Sequence, residues 1–135
     1  MLPGHGDQVS ATPLEIVTET VPSSVAKIRR FAVDAARSHD PAIDADVVAL
    51  LVSELTTNAM LHGEGQVRVR VLPRRAGVRV EVGDSSSQTP ARRHPTPDAE
   101  GGRGIALVEA LASAWGVESS STSGKTVWFE LDSDS

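Results

Sequence analysis

Residues 46–63 carry the strongest helical pattern in the chain, and this pattern constrains the fold more than any other feature. Their apolar residues recur at the three- and four-residue spacing of one helix face: Val47, Val48, Leu50, Leu51, Leu55, Ala59 and Met60. Either Asp44 or Asp46 is expected to cap the first turn, and Gly63 suits the left-handed position just after a helix. The chain is therefore predicted to fold around an amphipathic helix that buries its apolar face.

Three hydrogen-bonding side chains, Glu54, Asn58 and His62, follow one another at four-residue spacing on this helix. The spacing places a carboxylate, an amide and an imidazole along one face. Such a face is often only the solvated side of an amphipathic helix. Asn is a poor residue for a helix interior, however, and its presence favours a binding role for the amide. A carboxamide oxygen beside a carboxylate can hold Mg²⁺ and orient a nucleophile.

Length and composition limit the class of protein. A chain of 135 residues suits one domain with one core, and the absence of cysteine excludes disulfides and thiolate sites. No apolar run approaches the ~20 residues that cross a bilayer, and the first residues do not resemble a secretion signal. We therefore expect a cytoplasmic protein with no membrane contact. The net charge of −5 argues against direct binding of nucleic acid.

The remaining patterns predict a sheet covered by helices. Residues 1–13 contain Gly and Pro without periodicity, which predicts a loose tail before a domain that spans residues 14–135. The other predicted elements are a strand over 14–20 that suits a sheet edge, a helix over 23–39, strands over 65–73 and 78–82 joined by a turn at 74–77, a helix over 105–115, and strands over 117–121 and 125–131. Together they predict an α/β sandwich, with one mostly antiparallel mixed sheet and helices on one face.

Two segments between these elements have the composition of functional loops. Gly101, Gly102 and Gly104 surround Arg103 directly before the predicted helix at 105–115. A glycine-rich turn that leads into a helix presents free N–H groups to an anion, although the same sequence also suits a plain flexible turn. The stretch that follows residues 83–87, up to Glu100, has three prolines and no periodic pattern, which predicts either disorder or a lid over residues 90–102.

Four motifs, taken in order, resemble those of the histidine-kinase-like ATPases, the superfamily that includes gyrase, MutL and sensor kinases. Residues 54–63 resemble the N box, Asp84 the aspartate of the first glycine box, residues 102–105 the second glycine box, and residues 124–126 the closing motif before the last strand. The resemblance covers about residues 14–132. Within the superfamily, the short domain is similar to the anti-sigma-factor serine kinases of bacterial partner switching, in their actinobacterial branch.

The resemblance implies a role for three of these residues. Asn58 would be a ligand of the Mg²⁺ that bridges the ATP phosphates, Glu54 would activate the attacking hydroxyl, and Asp84 would accept a hydrogen bond from the adenine amino group. General chemistry agrees, because Mg²⁺ is commonly held by one or two protein oxygens together with phosphates and waters. A carboxylate at Asp84 would also reject guanine, whose O6 is an acceptor. ATP and Mg²⁺ are therefore the expected cofactors.

The resemblance also implies roles for residues at the edges of the site. Thr126 would support the adenine through a water, and Gly102 and Gly104 would let the backbone approach the phosphates. His62 would either contact a phosphate or bind a backbone carbonyl at the helix end. Arg103 would contact either the γ-phosphate or a partner protein.

The function implied by the resemblance is an ATP-dependent serine/threonine protein kinase. It would phosphorylate an anti-sigma-factor antagonist, sequester a sigma factor and form a homodimer. The alternative is a nucleotide-dependent protein-binding module without kinase activity, and Glu54 favours the kinase because only catalysis requires it. A metal-dependent hydrolase that uses His62 and His94 is disfavoured, since no suitable ligand spacing surrounds them. Residues 85–88 lack the glycines usual after Asp84, which predicts a stiffer base for the lid.

Overall fold

The computed structural model describes residues 12–62, 65–84, 99–120 and 124–133. These residues form an α+β fold with the following elements: β1 (Leu14–Glu19), α1 (Ser23–His39), α2 (Ala45–His62), β2 (Gln66–Arg74), β3 (Gly77–Asp84), α3 (Ala99–Leu111), β4 (Ala114–Ser120) and β5 (Gly124–Asp132). The strands form one sheet in the order β1-β2-β3-β5-β4, and every neighbouring pair is antiparallel. The predicted sheet is confirmed, and β1 lies at an edge as expected.

Alternating valines set the register of the central hairpin. Val69 pairs with Val82 and Val71 with Val80, and all four side chains are buried. The turn between the strands ends at Gly77, whose φ is 143°. A Cβ at Gly77 would overlap the carbonyl oxygen of a residue in β5, so this position accepts only glycine. The predicted hairpin is confirmed, with its turn where the sequence placed it.

The helices cover one face of this sheet. The core joins buried residues of the helices with buried residues of the strands: Ile28, Ala32, Ala35, Ala36, Val48, Leu51, Val52, Leu55 and Val108 from helices, and Val67, Val69, Val71, Val78, Val80, Val82, Phe129 and Leu131 from strands. A one-residue shift of β2 or β3 would move its valines out of this core, and the pairing of these strands is therefore fixed by the hydrophobic effect.

The opposite face of the sheet carries charged side chains that pair with one another within and across strands. Arg79 lies 3.0 Å from Glu81, Arg70 lies 3.3 Å from the same carboxylate, and Arg74 lies 2.8 Å from Asp132. The alternation that buries the valines thus places these ions on the other side. We call this the charged face of the sheet.

Helix α2 begins with a side-chain cap. The Oδ1 atom of Asp44 accepts hydrogen bonds from the backbone N–H of Asp46 at 3.1 Å and of Val47 at 3.2 Å. These bonds satisfy two N–H groups that the first turn leaves without helical partners. Asp44 is therefore the cap. Asp46 lies inside the first turn, where its negative charge interacts favourably with the positive end of the helix dipole.

The second half of the chain differs from the sequence prediction in two places. Helix α3 begins at Ala99, so residues 101–104 lie within the helix and do not form a turn before it. The helix ends at Leu111, and Trp115 belongs to β4, where it pairs with Phe129. A short apolar run fits both helical and extended spacing, and here the pairing with β5 determines the outcome.

Other expectations fall outside the described residues or remain untested. The predicted tail lies almost wholly in residues 1–11, most of the predicted lid lies in residues 90–98, and Gly63 follows α2; the structure describes none of these. The last residues of the predicted lid, 99–102, lie in helix α3. The division at residue 14 stays a prediction. Among the described helices, none has the length and hydropathy needed to cross a membrane.

Candidate functional site

Asn58 of α2 and Gly104 of α3 lie against each other, and this contact defines the centre of the candidate site. Gly104 is buried, and a Cβ built on it would overlap the carboxamide nitrogen of Asn58. The same Cβ would lie 3.6 Å from Cγ of Asn58 and 3.7 Å from Cδ2 of Leu55. The two helices approach this closely because residue 104 has no side chain. The structure thus brings together two motifs that are far apart in sequence.

Glu54 lies one helical turn before Asn58. Its side chain is half-buried, as is that of Asn58. Residues four apart on a helix have Cβ atoms about 5–6 Å from each other, so the carboxylate and the carboxamide can act on one bound group. The predicted cluster on α2 is therefore present for these two residues.

Thr56 is a polar residue that the sequence prediction missed. Its side chain is fully buried, and within the described part of the chain its Oγ1 has no hydrogen-bond partner. A buried hydroxyl without a partner costs about 1–3 kcal/mol. Sequence alone gave little signal, because Thr56 lies at a helical spacing that also suits a core residue.

Thr126 lies on the charged face of the sheet, away from α2. It pairs with Gly83, and its Oγ1 lies 2.7 Å from the place that a Cβ on Gly83 would take. Two residues further along β5, the ring of Trp128 lies 4.0 Å from the guanidinium carbon of Arg79, which belongs to the charged face. Side chains alternate along a strand, so Thr126 shares this face. The structure does not bring Thr126 to the helical cluster.

A model of one protein family, the histidine kinase-like ATPase domain, matches residues 18–131. The chain belongs to this family. The match spans the Glu54 and Asn58 cluster, the end of β3, helix α3 and most of β5. A search of curated proteins finds no match. Membership makes the chain an ATP-binding domain, and the contact between Asn58 and Gly104 lies within the matched region.

For the remaining candidate residues of the ATPase domain, the structure describes the backbone only. His62 is the last residue of α2, Asp84 is the last residue of β3, and Gly102 and Arg103 lie in the first half of α3. Asp84 pairs with Val67 of β2. The side chains of His62, Asp84 and Arg103 lie outside the described part of the structure.

The residues of the ATPase domain fit Mg-ATP better than a metal bound by protein alone. Among the described residues, no group of three or more His, Asp or Glu side chains could hold a metal ion. Mg²⁺ in phosphate sites commonly takes one or two protein oxygens and completes its shell with phosphates and waters. The carboxamide oxygen of Asn58 can supply one such ligand.

Proposed function

We propose that the domain binds Mg-ATP and transfers the γ-phosphoryl group to a serine or threonine hydroxyl of a partner protein. The partner would be an anti-sigma-factor antagonist, and the nucleotide-bound domain would hold a sigma factor. The contact between Asn58 and Gly104 carries the proposal, because it joins the helix with the candidate base to the helix with the glycine motif. The matched family and the order of the four motifs support it.

In this proposal two residues of α2 have different roles: Asn58 binds the metal ion, and Glu54 accepts a proton. Asn58 would hold Mg²⁺ through its carboxamide oxygen, and the ion would neutralise charge on the phosphates. Glu54 accepts the proton of the attacking hydroxyl. The hydroxyl oxygen forms a bond to the γ-phosphorus, the bond from that phosphorus to the bridging oxygen breaks, and ADP leaves with the electron pair.

The nucleotide base would lie at the carboxyl end of β3. Asp84, the last residue of that strand, would accept a hydrogen bond from the exocyclic amino group of adenine. Gly102 and Gly104 would let the α3 backbone approach the phosphates, with His62 and Arg103 near them. These assignments follow the positions that match the family motifs.

The first experiment tests nucleotide binding through thermal stability. At ATP near 100 times Kd, linkage adds about 2.7 kcal/mol, which raises Tm by roughly 10 °C in a chain of this size. The Asn58→Ala variant should lose much of this shift, because the charge on the phosphates is then less well compensated. An unchanged melting curve for the wild-type protein with Mg-ATP would contradict the proposal.

The second experiment separates a kinase from a protein-binding module. Glu54→Gln keeps the size of the side chain but cannot take a proton, so transfer from γ-labelled ATP should fall about 10²–10⁴-fold while ATP binding persists. Glu109→Gln is the matched control, because Glu109 is exposed on α3 and should leave transfer unchanged. Wild-type protein that binds ATP but phosphorylates no serine-bearing antagonist would favour the module.

A further inference from the structure

We propose that Lys125 of β5 contacts the nucleotide base and broadens the site from adenine to both purines. The inference rests on the proposed nucleotide site. The family resemblance implies a role in this strand for its neighbour Thr126 and none for Lys125. Four observations favour Lys125, and they concern its face, its position along the sheet, its exposure and its chemistry.

The face follows from strand alternation. Val127 pairs with Val82, and Phe129 and Leu131 of the same strand are buried in the core beneath the helices. Lys125 is two residues before Val127 and therefore belongs to the helix-covered side. Thr126 belongs to the charged face. Of these two neighbours, Lys125 is the one on the side where α2 lies.

The position follows from the register between β3 and β5. The last pair joins Gly83 to Thr126, so the next residue of β3, Asp84, comes beside Lys125. The carbonyl oxygen of Lys125 lies 3.4 Å from the place that a Cβ on Gly83 would take, which confirms how close the two strand ends are. Lys125 thus lies beside the backbone of Asp84, the residue that carries the proposed adenine carboxylate.

The side chains become more exposed toward this corner of the helix-covered side. Burial decreases along β5 from Phe129, which is 0% exposed, through the partly buried Val127 to the exposed Lys125. Val117 of β4, the pairing partner of Val127, is 47% exposed. An apolar surface beside an ammonium, at the strand end that carries Asp84, has the character of a purine-binding surface, with flat contact area and polar groups at its rim.

The chemistry determines which bases fit. A carboxylate alone accepts from the adenine amino group and faces an unfavourable acceptor, O6, when guanine binds. An ammonium adds a donor, and it can bind O6 of guanine. With guanine, the carboxylate at Asp84 accepts the N1–H while Lys125 donates to O6. The pair is therefore complementary to both bases, and GTP should bind this domain measurably.

The experiment compares affinities for ATP and GTP, measured calorimetrically with Mg²⁺, in the wild-type protein and in Lys125→Met. Methionine keeps most of the length of the side chain but cannot donate. Loss of one charged hydrogen bond to O6 should raise the ratio of the GTP Kd to the ATP Kd about tenfold. Inosine triphosphate, which has O6 and N1–H but no 2-amino group, should follow GTP.

Lys27→Met is the matched control, because Lys27 is the only other lysine in the chain and lies exposed on α1. It removes the same charge and should leave the ratio unchanged. Three results would overturn this inference but not the proposed function. They are a change in the Kd ratio of threefold or less in Lys125→Met, an equal change in Lys27→Met, and a wild-type protein that binds ATP but not GTP. A wild-type protein that binds neither nucleotide would overturn the proposed function as well. A larger effect of Thr126→Val on the ratio would also count against Lys125.

Discussion

Gly104 packs directly against the carboxamide of Asn58, so that a methyl group on residue 104 would overlap the amide nitrogen. The overlapping atom is at the end of a side chain, and it can move away more easily than backbone can. The contact therefore controls where the Asn58 amide points more than it controls whether the domain folds.

The Gly104→Ala variant should therefore keep its stability and lose nucleotide affinity. Alanine favours a helix over glycine by about 1 kcal/mol, which offsets the cost of the displaced amide. We expect Tm to change by only a few degrees while ATP affinity falls about tenfold or more, as measured by calorimetry. In an Asn58→Ala background the same substitution should have little further effect on binding, since its target is gone. Equal losses in both backgrounds would show that Gly104 acts independently of Asn58.

Thr56 offers a test of the buried hydroxyl. The Thr56→Val variant replaces a buried Oγ1 that lacks a partner in the described structure with a methyl group of similar size. Removing the desolvation penalty should stabilise the protein by about 1 kcal/mol and raise Tm by about 4 °C. Thr57→Val is the control, because Thr57 is exposed on the same helix. Destabilisation by Thr56→Val would mean that the hydroxyl does have a partner in solution.

Local patterns were sufficient to predict much of the fold. The alternation of Val67, Val69 and Val71 with polar residues has one physical explanation, a strand with one buried face, and the hairpin followed from it. The helix that carries Glu54 and Asn58 was likewise determined by its apolar spacing. Both predictions depended on interactions within one element or between neighbours in sequence.

The sequence could not determine features that depend on distant contacts. Trp115 fits helical or extended spacing, and only its pairing with Phe129 places it in a strand. The contact of Gly104 with Asn58 depends on how two helices cross, which no local pattern records. The face of Thr126, by contrast, follows from the sequence. Val127 and Phe129 are apolar and side chains alternate along a strand, so Thr126 belongs to the opposite face, which a short motif does not record.

Arg79 should contribute more to stability than other arginines of the charged face. Its guanidinium lies 3.0 Å from Glu81 and 3.3 Å from Glu130, and it stacks over the ring of Trp128. Because these groups are mostly buried and form a network, Arg79→Met should destabilise the protein by about 1–2 kcal/mol in urea unfolding. Arg68→Met is the control. Arg68 is 44% exposed, and its distance of 3.7 Å from its partner carboxylate is long for an ion pair, so its loss should change stability little.

Asp132 should make part of the stability dependent on acid pH. The hydrogen bond from Arg74, at 2.8 Å, is the main reason that the pKa of the Asp132 carboxyl lies below its ordinary value. The folded state then binds fewer protons than the unfolded state, so the contribution is complete above the ordinary pKa of about 4 and disappears as the pH falls through the folded value. Urea midpoints of Asp132→Asn should be lower than wild type at pH 6 and should approach the wild-type midpoints below about pH 3. Arg74→Met should flatten the same acid dependence, because it removes the cause of the shift. A constant difference between Asp132→Asn and wild type across this range would show that proton binding at Asp132 is not linked to folding.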